Sequence, residues 1–525
     1  MVSLASGLLA LFIGAGFAAR TQEPTSGNGS APITSTGKSQ AESIDPSGCG
    51  RCHRAEVAGF ALSAMSHSMR AGGEEPNGKV EIPGTTITIS SSPLGTWQRL
   101  QADGHTSEYH VDYAVGSGKH ATGYLVAINN HLFQSPVTFY RSRHDYDLAP
   151  GYEGRPNPDF SRPVTPSCLF CHSGHAQPVA GTTNEYQSPP FSHLAIGCSR
   201  CHGDTAAHLA HPGPATIVNP ALLQGAARDS ICEQCHLLGV ARVLNPGKQL
   251  SDFRPGTPLE DTFTIYRNNI PPGTASTFRV ISHVEQLALS MCARKAGGRL
   301  WCGTCHDPHR DPVQPAEFYR SKCLSCHTTA FPKPHPAANS NCIGCHMPKR
   351  DAKDGGHTAF TDHRIQRQPV PEQPVTEDTD ISAWREPAED NLRKRNLGIA
   401  YVQLGVERRS ATFVVRGYDL LTDVQDSFAT DPDLYSWIGA ALLPGKQYSE
   451  AQRAYALAFQ LDPASSTAEA DLGQAYALAG DSETASHYLE DVLQKDPLNL
   501  SVASQLMDTA ERIEEGVLAQ GVKSR

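Results

Sequence analysis

The chain has 525 residues, enough for about two to four domains, and its 54 acidic residues outnumber its 44 lysines and arginines by ten. That balance argues against a nucleic-acid partner, because phosphate binding needs a basic stripe. Fifteen cysteines would suggest a disulfide framework in a small secreted chain, but their spacing here points elsewhere.

Residues 1–20 hold an apolar run from Leu8 to Ala19, broken by Gly14 and Gly16, with small residues at Ala18 and Ala19. The run is short for a membrane span and lacks a basic start; it reads as an export signal, with an N-terminal anchor as the alternative. No other stretch reaches membrane-spanning length, so the mature protein is expected to be soluble or peripherally held at a membrane. Residues 21–46, rich in Ser, Thr, Gly and Pro, read as a flexible tether.

A cysteine-bearing body covers 47–365, since cysteines run from Cys49 to Cys345 and then stop. Within it, 78–140 carries β-branched and aromatic residues in partial alternation with Gly and Pro at the breaks, and reads as a β-rich insertion. The rest of the body reads as short helices and loops that cannot easily build a core from side chains alone. Residues 366–388 form a Pro-rich, acidic linker, and 389–525 turn Ala/Leu-rich and helical.

Cys-x-x-Cys-His occurs at Cys49/Cys52/His53, Cys168/Cys171/His172, Cys198/Cys201/His202, Cys232/Cys235/His236, Cys302/Cys305/His306, Cys323/Cys326/His327 and Cys342/Cys345/His346. Two thiols at this spacing can each add to a vinyl group of one porphyrin, and the adjacent imidazole then falls beneath the ring to ligate iron. Zinc sites use two CxxC pairs or a distant histidine pair, and a redox dithiol needs no histidine after its second cysteine. The expected cofactor is therefore haem c, about seven per chain, attached outside the cytoplasm in the periplasm or beyond. Cys292 is left over and reads as a buried, inert thiol, with a reactive thiol or unusual iron ligand as the alternative.

Of the sixteen histidines outside the motifs, only His487 lies in the C-terminal part. That distribution points to bis-histidine ligation, which saturates iron and favours electron transfer over substrate binding. Candidate distal ligands are His67, His208 or His211, His309, His335, and His357 or His363, with His120, His193 and His283 arriving from a distance. His105, His110, His131, His144 and His175 are weaker candidates. Methionine ligation is disfavoured with six Met in the chain, although Met65, Met69, Met291 and Met347 lie near motifs.

The stretches GSGKHATGYLV, LFQSPVTFY, APGYE, GCSRCHG, CGTCHDPH, CIGCHMPK and HTAFTDHRI resemble the cytochrome c-554/doubled-CxxCH class of multihaem cytochromes, over roughly residues 45–365. The resemblance implies a core made of closely stacked haems and an electron-transfer function, and it names no substrate. In multihaem nitrite and tetrathionate reductases a lysine-ended motif marks the catalytic haem, and no motif here ends in Lys.

Two C-terminal segments fit a 34-residue helix–turn–helix unit: Pro432 with Ile438-Gly439, Ala451, Tyr455, Ala458 and Pro463, then Leu472-Gly473, Tyr476, Ala485, Leu489 and Pro497. An irregular copy starts near Leu397-Gly398 and Tyr401, and a partial one near Leu500. The pattern resembles the tetratricopeptide repeat family, whose arrays offer a concave surface to a peptide or protein.

The expected fold is thus mainly α, a haem-packed cytochrome domain with few regular elements and a small β-rich insertion, followed by a helical solenoid. The expected function is electron transfer between redox partner proteins docked through the repeats. Two rivals stand beside it: an oxidoreductase acting on a small nitrogen or sulfur compound at a five-coordinate haem, and a repeat-based scaffold. On the scaffold reading, deletion of 389–525 removes assembly and leaves haem spectra intact.

Overall fold

The computed structural model describes residues 48–523 except 156, 272–273, 275–276, 328–340, 368–374 and 377, with side-chain surroundings up to 514. The export signal, the tether and His335 lie outside the described residues.

Nine strands run between Met69 and Leu148: β1 (Met69–Ala71), β2 (Gly78–Ile82), β3 (Thr85–Ser92), β4 (Gly95–Ala102), β5 (His105–His110), β6 (Tyr113–Val115), β7 (Ala121–Ile128), β8 (His131–Tyr140) and β9 (Asp145–Leu148). They form a meander in the order β2-β3-β4-β5 and a second antiparallel sheet in the order β1-β6-β7-β8-β9. Turn chemistry sets the registers. Asp103-Gly104 and Asn129-Asn130 adopt positive φ at both central positions, which matches the twist of tight hairpins. Val80, Ile87 and Ile89 of the meander pack on Tyr124, Val137 and Tyr146 of the other sheet, while Met69, Leu125 and Leu132 meet Val164, Leu169, Tyr186 and Phe191 in a separate cluster.

This corrects the expected fold class. The chain is mixed helix and sheet, and its N-terminal sheet region is packed by its own apolar side chains, not by haem. The strands also extend beyond 78–140 on both sides. Strand β8 is buried at eight of its ten positions, so it lacks the alternation that marks a half-exposed strand.

Beyond the sheets come short helices: α1 (Arg54–Phe60), α2 (Pro166–His172), α3 (Ser199–His202), α4 (Ala206–Ala210), α5 (Gly225–His236), α6 (His283–Leu289), α7 (Met291–Ala296), α8 (Cys302–Cys305), α9 (Pro315–Leu324) and α10 (Cys342–His346). Small ribbons separate them. Strand β10 (His175–Pro178) pairs with β11 (Tyr186–His193), and β14 (Lys349–Asp351) pairs with β15 (Ala359–Thr361). Strand β13 (Phe263–Asn268) lies between β12 (Ala241–Leu244) and β16 (Ile381–Ala383). Strand β16 falls inside the stretch read as a linker.

The C-terminal part is an array of helical hairpins: α11 (Asp390–Arg408) with α12 (Ala411–Asp423), α13 (Pro432–Leu442) with α14 (Tyr448–Leu461), and α15 (Ser466–Ala479) with α16 (Ser482–Lys495), closed by α17 (Leu500–Lys523). The extra length of the first unit appears as a long α11 and a 3-10 turn at Gln425–Phe428. Gly439 sits where helices cross: a Cβ there would stand 2.8 Å from the Tyr455 ring, so a larger residue would push the pair apart.

The array is seated on the rest of the chain at two places. Ala241, Val243, Tyr266, Ile381 and Ala383 share one core with Ile399, Val402, Phe413 and Leu434. At the other end, buried Asp496 accepts from His131 Nε2 at 2.9 Å and from the Thr183 N–H at 2.9 Å. An Asp496→Ala substitution leaves both donors unsatisfied, and roughly 3 kcal/mol of stability is expected to be lost. Urea unfolding should show this as a lower midpoint at unchanged slope.

Candidate cofactor-binding site

Every Cys-x-x-Cys-His motif is wound into a helical turn. The amides of His53, His202, His306 and His327 donate to the carbonyls of Cys49, Cys198, Cys302 and Cys323 at 2.8–3.0 Å. This i to i−4 bond sets both cysteines and the histidine on neighbouring positions of one turn. Local sequence supports the turns: Pro166 occupies the first turn of α2, and the Asn341 side chain caps α10 by accepting from the Gly344 N–H.

The motifs are also neighbours of one another. The thiols of Cys171 and Cys235, of Cys232 and Cys302, and of Cys323 and Cys342 lie close enough to influence one another's ionisation. Sites two, four and five, and sites six and seven, are therefore contiguous. All fifteen cysteines are free thiols. Among the described residues, no three or more His, Cys, Asp or Glu side chains gather as a chelating cluster.

Burial differs among the motif cysteines. Cys52, Cys168, Cys326 and Cys345 are exposed, whereas the other ten motif cysteines are half-buried. The turn Cys49–Arg51 before Cys52, helix α9 before Cys326 and helix α10 around Cys345 bury none of their own residues. In α2 the buried residues are Leu169 and Phe170, and Cys168 lies on the open side of that turn. The sequence spacing marks these cysteines as a set, and it carries no information about which of them the protein covers.

Three motif histidines face a second histidine with nearly parallel rings. His53 and His208 have centroids 6.3 Å apart at 27°, His202 and His309 are 6.0 Å apart at 19°, and His306 and His363 are 6.1 Å apart at 28°. His283 makes edge contacts with His236 at 5.6 Å and with His363 at 4.8 Å.

Hydrogen bonds orient these rings. His202 Nδ1 is 2.8 Å from the Val218 carbonyl, His208 Nδ1 3.2 Å from that of Gly213 and His363 Nδ1 2.9 Å from that of Thr361. His346 Nδ1 is 2.9 Å from the Gln366 carbonyl, and His306 Nδ1 is 3.1 Å from the Tyr319 hydroxyl. A ring that donates from Nδ1 presents Nε2 as a lone pair. Burial adds to this: it lowers the basicity of His172, His202, His236, His306 and His363, and takes His283 down to about 3. Neutral imidazole is the form that ligates a metal.

The remaining candidates are placed differently. His67 and His193 line a cavity of about 570 Å³ with Arg70, Arg141 and Cys198. His67 Nδ1 is held 2.9 Å from the Ser63 carbonyl. His120 lies against the Phe360 ring, and His211 is exposed at the end of α4. His357 Nε2 is engaged with Asp147 and Arg143, both at 2.8 Å, on the surface of the sheet region. Cys292 is half-buried, and burial raises its thiol.

Two supporting features had weak sequence signals. Asp362 and Arg364 form a buried pair flanking His363, and Tyr319 reaches His306 from α9. Only the charged residues beside a histidine marked the first, and nothing in the spacing marked the second. Among the described residues, no helix is long and apolar enough to cross a membrane.

No protein-family model matches the chain. Among solved structures, it is similar to the first TPR domain of Spaghetti (RPAP3) bound to an HSP90 peptide, at 19% identity and a TM-score of 0.21, covering 23% of this chain and 95% of that one. The second TPR domain of human RPAP3, in complex with an HSP70 peptide, is 22% identical with a TM-score of 0.20, over 22% and 98% of the two chains. MamA of MSR-1 is 21% identical with a TM-score of 0.21, over 25% and 71%. These likenesses say nothing about ligands.

Proposed function

We propose that the chain is a heptahaem c-type cytochrome that carries electrons between protein partners outside the cytoplasm. The observation that carries this reading is the set of three histidine pairs, each joining a motif histidine to one from elsewhere at 6.0–6.3 Å with near-parallel rings. Two imidazoles on opposite faces of one iron, with metal–nitrogen bonds of about 2 Å and ring radii of about 1 Å, need a centroid separation of about 6 Å. The observed separations match that spacing.

The fourteen motif cysteines hold the porphyrins as thioethers, the exposed Cys52, Cys168, Cys326 and Cys345 included. His53, His172, His202, His236, His306, His327 and His346 are the proximal ligands. On this reading His208, His309 and His363 would be the distal partners of His53, His202 and His306, and His283 would serve His236. Bound haems supply reversible one-electron transfer. The protein's own part is to fix the rings by carbonyl hydrogen bonds and to keep the imidazoles neutral. Contiguous thiol pairs keep successive sites within a short reach. The helical array supplies surface for a redox partner protein.

Pyridine haemochrome quantification with low-temperature EPR on one purified sample tests the reading. Close to seven haems, all low-spin, is the expected result. A preparation that binds zinc and no haem would sink it. A high-spin signal that shifts with nitrite or hydroxylamine would move the assignment to an oxidoreductase.

A further inference from the structure

Arg385 lies in the segment joining β16 to α11, between the helical array and the fourth Cys-x-x-Cys-His motif. Its Nη1 and Nη2 donate to the two carboxylate oxygens of Glu233 at 3.0 and 2.5 Å. Its Nε donates to Glu260 Oε1 at 2.8 Å, and Nη2 also reaches Ser230 Oγ at 3.0 Å. Trp384 Nε1 adds a bond to Glu233 Oε1 at 3.0 Å, while the Trp384 amide donates to the Ile265 carbonyl at 2.7 Å. Both residues that grip Glu233 are thus delivered by the end of β16, and Ile381 and Ala383 of that strand belong to the core shared with the array.

Glu233 stands inside the motif, between Cys232 and Cys235, and its side chain is only 6% exposed. A carboxylate this buried is retained only with compensation. Two acids share one guanidinium here, so the three groups carry a net charge of about −1 while Arg385 is seated and about −2 without it.

We infer that Arg385 is a positioning residue that sets the charge beside the fourth haem site and thereby couples the seating of the helical array to that site's reduction potential. This rests on the cytochrome reading. An unpaired negative charge close to the iron stabilises its oxidised, more positive state and lowers the potential; an unpaired positive charge does the reverse. Glu233 lies within the fourth motif and also acts on Cys302 of the adjoining fifth, so the largest shift is expected in one component, with a smaller one in its neighbour.

The test is a spectroelectrochemical titration of the full chain as wild type, Arg385→Met, Glu233→Gln and the double variant. Arg385→Met is expected to make one component about tenfold harder to reduce, a shift of ~59 mV for one electron. Glu233→Gln should shift one component in the opposite direction, and the double variant should return toward wild type. A merely structural role would move neither potential in this sign-reversing way. Seven haems with unshifted components in both single variants would overturn the inference and leave the cytochrome reading standing. A wild type without seven haems would overturn the cytochrome reading itself. If Arg385→Met yields no folded protein, Glu233→Gln decides alone, and the absence of an upward shift is fatal.

Discussion

Deletion of residues 389–525 is expected to abolish the folded, haem-loaded protein, with soluble yield falling at least tenfold. The reason is the core that the array shares with β12, β13 and β16. Removing the helices exposes Val243, Tyr266 and Ile381, now 1–4% accessible, at about 1.5–3 kcal/mol each. It also strips the polar seat: the Arg395 guanidinium donates to Asp431 at 2.8 Å and to the Leu244 carbonyl, and the Asn396 amide bonds Asn245 at 2.9 Å and Thr264 at 3.1 Å. The same seat can be probed by one residue. Arg395 has no exposed side-chain surface, so Arg395→Met leaves Asp431 buried without its cation, at a cost of about 3–5 kcal/mol. Thermal unfolding should show the loss across the whole chain, in the haem bands and in far-UV circular dichroism together. A truncated chain that accumulates at wild-type level with its haem bands intact would refute the shared core and return the array to a tethered accessory. The scaffold reading loses its distinguishing prediction where yield collapses, since haem loading and assembly then fail together.

How far the sequence reveals this arrangement depends on how local the chemistry is. Each Cys-x-x-Cys-His motif is written in five consecutive residues of one helical turn, so all seven could be read directly. Coverage of the thiols is not local in this sense, and nothing in the five residues separates exposed Cys52 and Cys326 from half-buried Cys201 and Cys305. The hairpin repeat was equally readable, because Gly439 and Gly473 mark close crossings at a fixed interval. The seating of the array was not. Arg395 and Asn396 look like a solvated helix face, and only their partners on β12 and β13 make them interior residues. The sheet region was underestimated for the opposite reason, since β8 is covered on both faces and loses its alternation. The pairing of these histidines is non-local by nature. His309 follows the fifth motif by three residues yet faces His202 of the third, and His208 follows the third yet faces His53 of the first. Proximity along the chain offers these histidines as candidates without naming their partners.

That crossed pairing gives the second large effect. On the cytochrome reading, His309→Ala should convert one haem of seven from low-spin to high-spin ferric iron while the haem count stays at seven, because Cys198, Cys201, Cys302 and Cys305 would still form their thioethers. The haem affected belongs to His202, although His309 sits in the CHDPH stretch of the fifth motif. A His202→Ala variant should therefore perturb the same EPR component, and His306→Ala a different one. Added imidazole should restore the low-spin signal in His309→Ala by occupying the vacated face. His357→Ala is the control. Its Nε2 is engaged with Asp147 and Arg143, so its loss should leave all seven signals as they were. An unchanged low-spin spectrum in His309→Ala would refute the pairing, and a shared component between His309→Ala and His306→Ala would reassign it to the fifth site.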